Sequence, residues 1–572
     1  MKNTKIPIIY FIFFSIVVIG VFGAFLFFSL SKPKDYFTPK MKKIESAIRG
    51  DIKTDNFTLA KSEKIYLVFL NPIYISPNKK KLFVDLFSIY TGISKKALLK
   101  KLKIKKRILL AKVDLKTKQQ LVYLRKILDK YRVFISVNNV RRAYDIESVK
   151  QENGKIIGLY KRLYPFKDTF EPFLGRYSRV YSRGENGIEE YYESVLRPKK
   201  NGYMRGFRDV SGNIIYDKAS VITYPVNGND IFLNINLVLQ KRIEKLLDEY
   251  KKTYQASDVI AAVMDSKTGK IIAIASSNRY NPLHVKPQDI SHMQIGAIRH
   301  TFEPGSVMKP ITFALLLEHN KVNPFEVLNA HNGKWKPKWR KKPIRDDEKF
   351  DWLSAENAIV YSSNIVISQL ALRLTNKELY YGLRKFGFAK KTGIDLPYEL
   401  TGRTKSIREL YYPVFKSTTS YGYGIDVTFV QLLKAYNVFN NNGIAITPKI
   451  AKVKSDFKLV IKPIVASEML KILRKVVLRG TGKDAYIKGI FTAGKTGTAH
   501  IYDYKKKKYL NRYNSSFFGF ANDKTHRYTI GVTLFDVKAP FPNYFASQSA
   551  VPLFKKIVII MRDEKLLGDM NE

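Results

Sequence analysis

Three short stretches of this chain hold residues suited to acyl-transfer chemistry. Pro304-Gly305-Ser306-Val307-Met308-Lys309 sets a hydroxyl where a helix could begin and an amine one turn later. Residues at i and i+3 share a helix face, so Lys309 can sit beside Ser306 and remove its proton. The positive end of that helix favours negative charge developing next to it. Ser362-Ser363-Asn364 falls inside an apolar run whose spacing predicts a helix near 354–373, where buried polar groups need a purpose. Lys495-Thr496-Gly497-Thr498 adds a second amine and two hydroxyls.

Each motif alone is commonplace in so lysine-rich a chain. Ser-x-x-Lys also starts at Ser29, Ser31, Ser76 and Ser455, and Lys-Thr-Gly recurs at Lys267 and Lys391. Order and context separate them. Only Ser306 follows Phe302-Glu303-Pro304-Gly305, and Ser362 begins the sole Ser-x-Asn downstream of it. Lys267 reads as a hairpin turn and Lys391 as a loop, whereas Lys495 alone gains a second hydroxyl from Thr498. Together the three form the signature of penicillin-interacting serine enzymes.

The elements around these motifs read as strands first, helices in the middle and strands last. Val259–Met264 and Lys270–Ala275 flank a turn at Asp265-Ser-Lys-Thr-Gly269. Helices are expected at 237–250, near 308–319 and near 428–441, and strands near 515–521 and 528–535. That order implies an antiparallel sheet packed by helices, an α+β fold in a multidomain chain. The region before Asn227 is turn-rich and mixed, and its segment from Lys79 to Arg142 carries 20 basic residues against three acidic ones. We read that segment as the solvated face of small packed helices, with contact to anionic lipid or wall polymer as the alternative.

Ile6 to Leu30 is uncharged over 25 residues, about 37 Å as a helix and enough to span a bilayer. It is far longer than a signal-peptide core, so an uncleaved anchor is expected, with residues 1–5 as a short cytoplasmic tail and the body exported. Lysines on both sides of the span leave local charge undecided, but long domains translocate largely regardless of it. The net charge of +51 calls for an anionic surrounding, and export argues against nucleic acid as a partner. Cysteine is absent, which excludes a thiolate nucleophile or thiolate metal site, and seven scattered histidines offer no metal motif. No cofactor is expected.

With these motifs the sequence resembles the class B penicillin-binding proteins, most closely the division transpeptidases of FtsI type. Further blocks carry the likeness over nearly the whole chain: Arg49-Gly50-Asp51-Ile52, Arg162-Leu-Tyr164-Pro165, Gly184-x-x-Gly187-Ile-Glu189, Tyr421-Gly-Tyr-Gly424 and Gly480-Thr-Gly482. The resemblance implies a transmembrane anchor at 6–30, a pedestal of dimerisation type at 36–227 and a transpeptidase domain at 228–572. It implies a single-pass protein of the bacterial inner membrane with a periplasmic catalytic domain, and β-lactams as ligands. With no glycosyltransferase domain in view, it implies an FtsW-type membrane polymerase and other division proteins as partners.

It also implies roles. Ser306 attacks the penultimate D-Ala carbonyl of a peptidoglycan stem peptide, and the acyl group passes to a neighbouring stem's amine. Lys309 must be neutral to serve as base, and a nearby ammonium, Lys495, would push its pKa down. Ser362 shuttles a proton to the leaving group and Asn364 holds substrate amides. Backbone N–H groups of Ser306 and Thr498 form an oxyanion hole, worth about 3 kcal/mol per donor. Lys495, Thr496, Gly497 and Thr498 suit the substrate's terminal carboxylate. A D-Ala-D-Ala carboxypeptidase or β-lactamase-like hydrolase, an elongation-type transpeptidase and a non-catalytic wall-binding protein stay open as alternatives.

Overall fold

The computed structural model describes residues 5–30, 40–75, 77–128, 144–152, 155–207, 214–218, 220–503, 505 and 507–569. The chain forms two compact units. One holds Met1–Arg49, Ser62–Lys161 and Pro198–Gly228; the other holds Gly50–Lys61, Arg162–Arg197 and Asn229–Glu572. Thus two stretches that precede Asn227 in sequence, 50–61 and 162–197, pack with the C-terminal residues.

The centre of the second unit is a five-stranded antiparallel sheet. Its strands are β1 (Asp258–Asp265), β2 (Ile271–Ser276), β3 (Phe491–Asp503), β4 (Lys508–Asn522) and β5 (Arg527–Val537), in the spatial order β2-β1-β5-β4-β3. Side chains alternate across a strand, and here both faces are covered. Val259, Ala261 and Val263 of β1 enter one core, together with Leu239, Ile243 and Leu247 of helix α1 (Leu237–Tyr254). Ile260, Ala262 and Met264 enter the other, with Val307, Ile311 and Phe429. A strand buried on both faces reads as a continuous apolar run, which is why 259–264 carried no polar alternation.

Helices α2 (Lys309–Glu318), α3 (Ala355–Val360), α4 (Asn364–Ala371), α5 (Phe429–Asn440) and α6 (Pro463–Arg479) contribute to the second core, and α7 (Ala550–Asp563) to the first. The apolar run near 354–373 is therefore two helices, broken at 361–363, and not one. Motif blocks read far apart in sequence meet in a buried ion pair. Arg162 Nε donates to Glu189 Oε1 at 2.7 Å, its Nη1 donates to the Gly50 carbonyl at 2.7 Å, and Tyr164 Oη donates to the same carboxylate at 3.1 Å.

In the first unit, strands Tyr66–Leu70, Ile108–Val113 and Tyr144–Glu147 form an antiparallel sheet. Helices Lys80–Thr91, Lys95–Leu102 and Leu115–Leu128 pack with it around Val68, Phe83, Phe87, Leu98, Leu110 and Leu121. Ser94 caps the second helix by accepting from Ala97 N at 3.3 Å. The lysine-rich segment is thus a small α/β layer and not helices alone; its last part, 129–142, lies outside the described residues. At the amino end Lys5–Leu30 is one helix, whose stretch Ile8–Leu30 has a mean hydropathy of 2.8. Among the described residues it is the one helix long and apolar enough to cross a membrane.

Candidate active site

Gly305–Met308 is a single tight 3-10 turn that runs straight into α2, so Ser306 sits on the turn and Lys309 opens the helix. Several groups hold this turn. Gly305 N donates to the Gly422 carbonyl at 3.1 Å, and Tyr436 Oη donates to the Val307 carbonyl at 2.7 Å. Phe302 and Val427 exchange backbone bonds of 2.9 and 3.0 Å. The packing leaves no room for a Cβ at the two glycines that face this turn. A Cβ at Gly422, where φ is +87°, would lie 2.1 Å from the Gly305 oxygen. One at Gly497 would lie 2.8 Å from Val307 Cγ1. Gly422 and Gly497 are therefore spacers that let the Ser306 turn seat between them.

Two amines converge on one hydroxyl. Lys309 Nζ donates to Ser362 Oγ at 3.0 Å and also to the Ser362 carbonyl. Lys495 Nζ donates to the same Ser362 Oγ at 3.0 Å, to the Thr496 carbonyl at 3.1 Å and to Thr496 Oγ1 at 3.2 Å. Both lysines are fully buried (0% exposed). A serine oxygen can accept two hydrogen bonds and still donate one, so Ser362 keeps its proton free for a third partner. Its backbone is held at φ +62°, a left-handed conformation uncommon outside glycine, in the break between α3 and α4.

Burial pushes the Lys309 amine down to about 8, against the opposing pull of Asp346 and Asp347. Burial also pushes Lys495 down, and repulsion from Lys309 adds to it. The sequence had suggested that Lys495 depresses Lys309. In the structure desolvation is the leading cause for both, and the mutual repulsion bears on Lys495.

Asn364 starts α4 with its side chain donating to the Arg345 carbonyl at 2.7 Å. Thr496 Oγ1 shares a 2.6 Å hydrogen bond with Thr481 Oγ1. Thr498 Oγ1 accepts from Ala546 N at 3.0 Å, which ties it to the segment before α7. The structure thus gathers Lys309, Ser362, Lys495 and Thr496 into one hydrogen-bonded cluster, with Ser306 one turn from Lys309 and Gly497 against the same turn. Asn364 and Thr498 border it through bonds of their own. Lys267 and Lys391 stay exposed on a turn and a loop, as their contexts suggested.

Sequence reasoning missed Asp346. Its Oδ1 accepts from Asn364 N at 2.5 Å and Ile365 N at 3.1 Å, and its Oδ2 from Ser363 Oγ at 2.5 Å. This carboxylate fixes the start of α4 and so the position of Ser362 and Asn364. Nothing in its local sequence announces that contact. Glu303, in the Phe302-Glu-Pro-Gly305 context of Ser306, accepts from Gly424 N at 2.7 Å and braces the glycine loop.

The family model described as the penicillin binding protein transpeptidase domain matches residues 259–558, and that of the penicillin-binding protein dimerisation domain matches 44–233. The chain is 28% identical over 421 residues to the probable peptidoglycan D,D-transpeptidase PenA of Neisseria meningitidis, covering 73% of this chain and 71% of the relative. It is 27% identical over 426 residues to the peptidoglycan D,D-transpeptidase FtsI of Escherichia coli, covering 72% and 70%. Its fold matches the crystal structure of penicillin binding protein 2X from Streptococcus thermophilus with a TM-score of 0.74 at 22% identity, over 92% of this chain and 81% of that one. The chain belongs to the penicillin-binding protein transpeptidase family, in the class B form that joins a dimerisation-type region to the transpeptidase domain.

Proposed function

We propose that this protein crosslinks peptidoglycan stem peptides at the division septum through a Ser306 acyl-enzyme. The observation that carries the reading is the Ser362 hydroxyl held at 3.0 Å by two buried amines, one turn from Ser306. Lys309, with its amine pushed down to about 8, takes the proton as Ser306 Oγ attacks the penultimate D-Ala carbonyl. The carbonyl electrons move onto oxygen, and backbone N–H groups of Ser306 and Thr498 would donate hydrogen bonds to that oxyanion. Collapse breaks the peptide bond, and Ser362 passes a proton to the departing D-Ala nitrogen while drawing one from the lysine pair. An amine from a second stem then attacks the ester and Ser306 regains its proton. Lys495, Thr496 and Thr498 face the donor's terminal carboxylate in this reading, with Asn364 on its amide groups.

The relatives named FtsI, and Tyr421-Gly-Tyr-Gly424 in its division-type form, support the septal assignment over an elongation role. The Ile8–Leu30 helix supports a membrane anchor, and in this reading it crosses the inner membrane once with the catalytic body in the periplasm. An FtsW-type polymerase is the proposed partner, contacting the anchor and the region before Asn227. Incubating the protein with lipid-linked glycan strands tests the reaction. Crosslinked muropeptides are expected; free D-Ala with no crosslink would make it a carboxypeptidase. Midcell localisation of a fluorescent fusion tests the septal role, and lateral-wall localisation would refute it. A fluorescent penicillin should label the wild type and leave Ser306→Ala unlabelled.

A further inference from the structure

The Gly480-Thr481-Gly482 block closes α6 and lies between two walls of the candidate active site. One wall is the break between α3 and α4 that holds Ser362. Thr481 N donates to the Val360 carbonyl at 3.3 Å, while Gly482 N donates back to the Val476 carbonyl at 3.1 Å and turns the chain out of α6. Arg479, the last residue of α6, reaches the same break through its side chain. Its Nη2 donates to Asn357 Oδ1 at 2.8 Å and its Nη1 to Tyr361 Oη at 3.2 Å. The other wall is β3, where Thr481 Oγ1 and Thr496 Oγ1 share a hydrogen bond of 2.6 Å. Thr481 therefore ties the backbone of one wall to a side chain of the other.

The direction of that hydroxyl–hydroxyl bond has a chemical consequence. A threonine hydroxyl offers two lone pairs and one proton. Lys495 Nζ donates to Thr496 Oγ1 at 3.2 Å and fills one lone pair. An ionised carboxylate only accepts, so a Thr496 that binds one must direct its proton to it. The 2.6 Å bond then runs from Thr481 to Thr496 and fills the second lone pair. Thr496 is left like Ser362, with two donors pointing in and one proton pointing out. With the bond reversed, Thr496 would have no proton to offer.

We propose that Thr481 is a positioning residue for the donor's terminal carboxylate: its hydroxyl donates to Thr496 Oγ1 and so leaves the Thr496 proton for that carboxylate. The inference rests on the transpeptidase reading above and adds a residue to the selection of the donor. A hydroxyl already oriented in the empty site loses less freedom when the ligand arrives. Thr481 acts only through Thr496, so its effect belongs to donors that carry the carboxylate.

The test uses two thioester donors that are identical except that the leaving end carries a carboxylate in one and a primary carboxamide in the other. Wild type should acylate with higher kcat/KM from the carboxylate donor. Thr481→Val, which replaces the hydroxyl by a methyl, should cut that preference about tenfold, as for one lost hydrogen bond, mainly through KM for the carboxylate donor. Thr481→Ser should restore most of it. A turn that merely props the end of α6 would lose rate on both donors alike. An unchanged preference in Thr481→Val, a Thr481→Ser variant no better than Thr481→Val, or a wild type that acylates from both donors without preference overturns the inference and leaves Ser306 acylation intact. A wild type that acylates from neither donor overturns the transpeptidase reading and this one together. If Thr481→Val does not fold, Thr481→Ala decides by the same ratio of donors.

Discussion

Lysine serves opposite ends in the two units of this chain. Residues 79–128 of the first carry 16 basic residues against Asp85 and Asp114, and Lys96, Lys100, Lys103, Lys105 and Lys106 all face solvent. In the second, Lys309 and Lys495 are fully buried and share one serine hydroxyl. An exposed ammonium keeps its proton and acts as a point charge. A buried one loses hydration, so its neutral, basic form comes within reach near physiological pH. Burial, and not residue type, makes the difference. The three Lys-Thr-Gly triplets repeat the lesson, since Lys267 and Lys391 are exposed while Lys495 is sealed.

The comparison can be broken most sharply at Lys309. Lys309→Met should reduce β-lactam acylation by about 10⁴-fold, the upper range for losing a general base; a rate within tenfold of wild type would mean that another group takes the Ser306 proton. Next, Lys495→Ala should slow acylation by at least ~100-fold, about 2.7 kcal/mol. Lys391→Ala and Lys267→Ala should acylate normally, and a collapse in either would move the chemistry to a different triplet.

The pH profile sharpens the same contrast. In the proposed mechanism Lys309 acts in its neutral form, so second-order rates should rise with pH through about 8. Asp347 favours the charged form of Lys309, so Asp347→Asn should move that rising limb to lower pH. Movement to higher pH would contradict the electrostatic account. The smallest effect belongs to the exposed population: Lys96→Ala and Lys100→Ala should each change unfolding free energy by no more than about 0.5 kcal/mol in urea titrations.

Much of the site was legible because order and context, not single motifs, picked out Ser306, Ser362 and Lys495. The sheet was legible in part: β1, β2, β4 and β5 stood out as apolar runs, but β3 did not. Its residues Lys495, Thr496, Gly497 and Thr498 are polar or small, yet Lys495 is buried by neighbours remote in sequence. The break at 361–363 was hidden for a related reason. Apolar spacing continues across it, and the left-handed Ser362 is held in place by lysines 53 and 133 residues away. Asp346 was invisible because its role arises only when the segment before α3 folds against the start of α4.

The most direct test of the central claim is to react the purified chain with benzylpenicillin and map the modified residue by mass spectrometry. One adduct per chain, on Ser306 and absent from Ser306→Ala, is the expected result. An adduct on any other serine, or full labelling of Ser306→Ala, would contradict the assignment of the buried lysine pair as the machinery that activates Ser306.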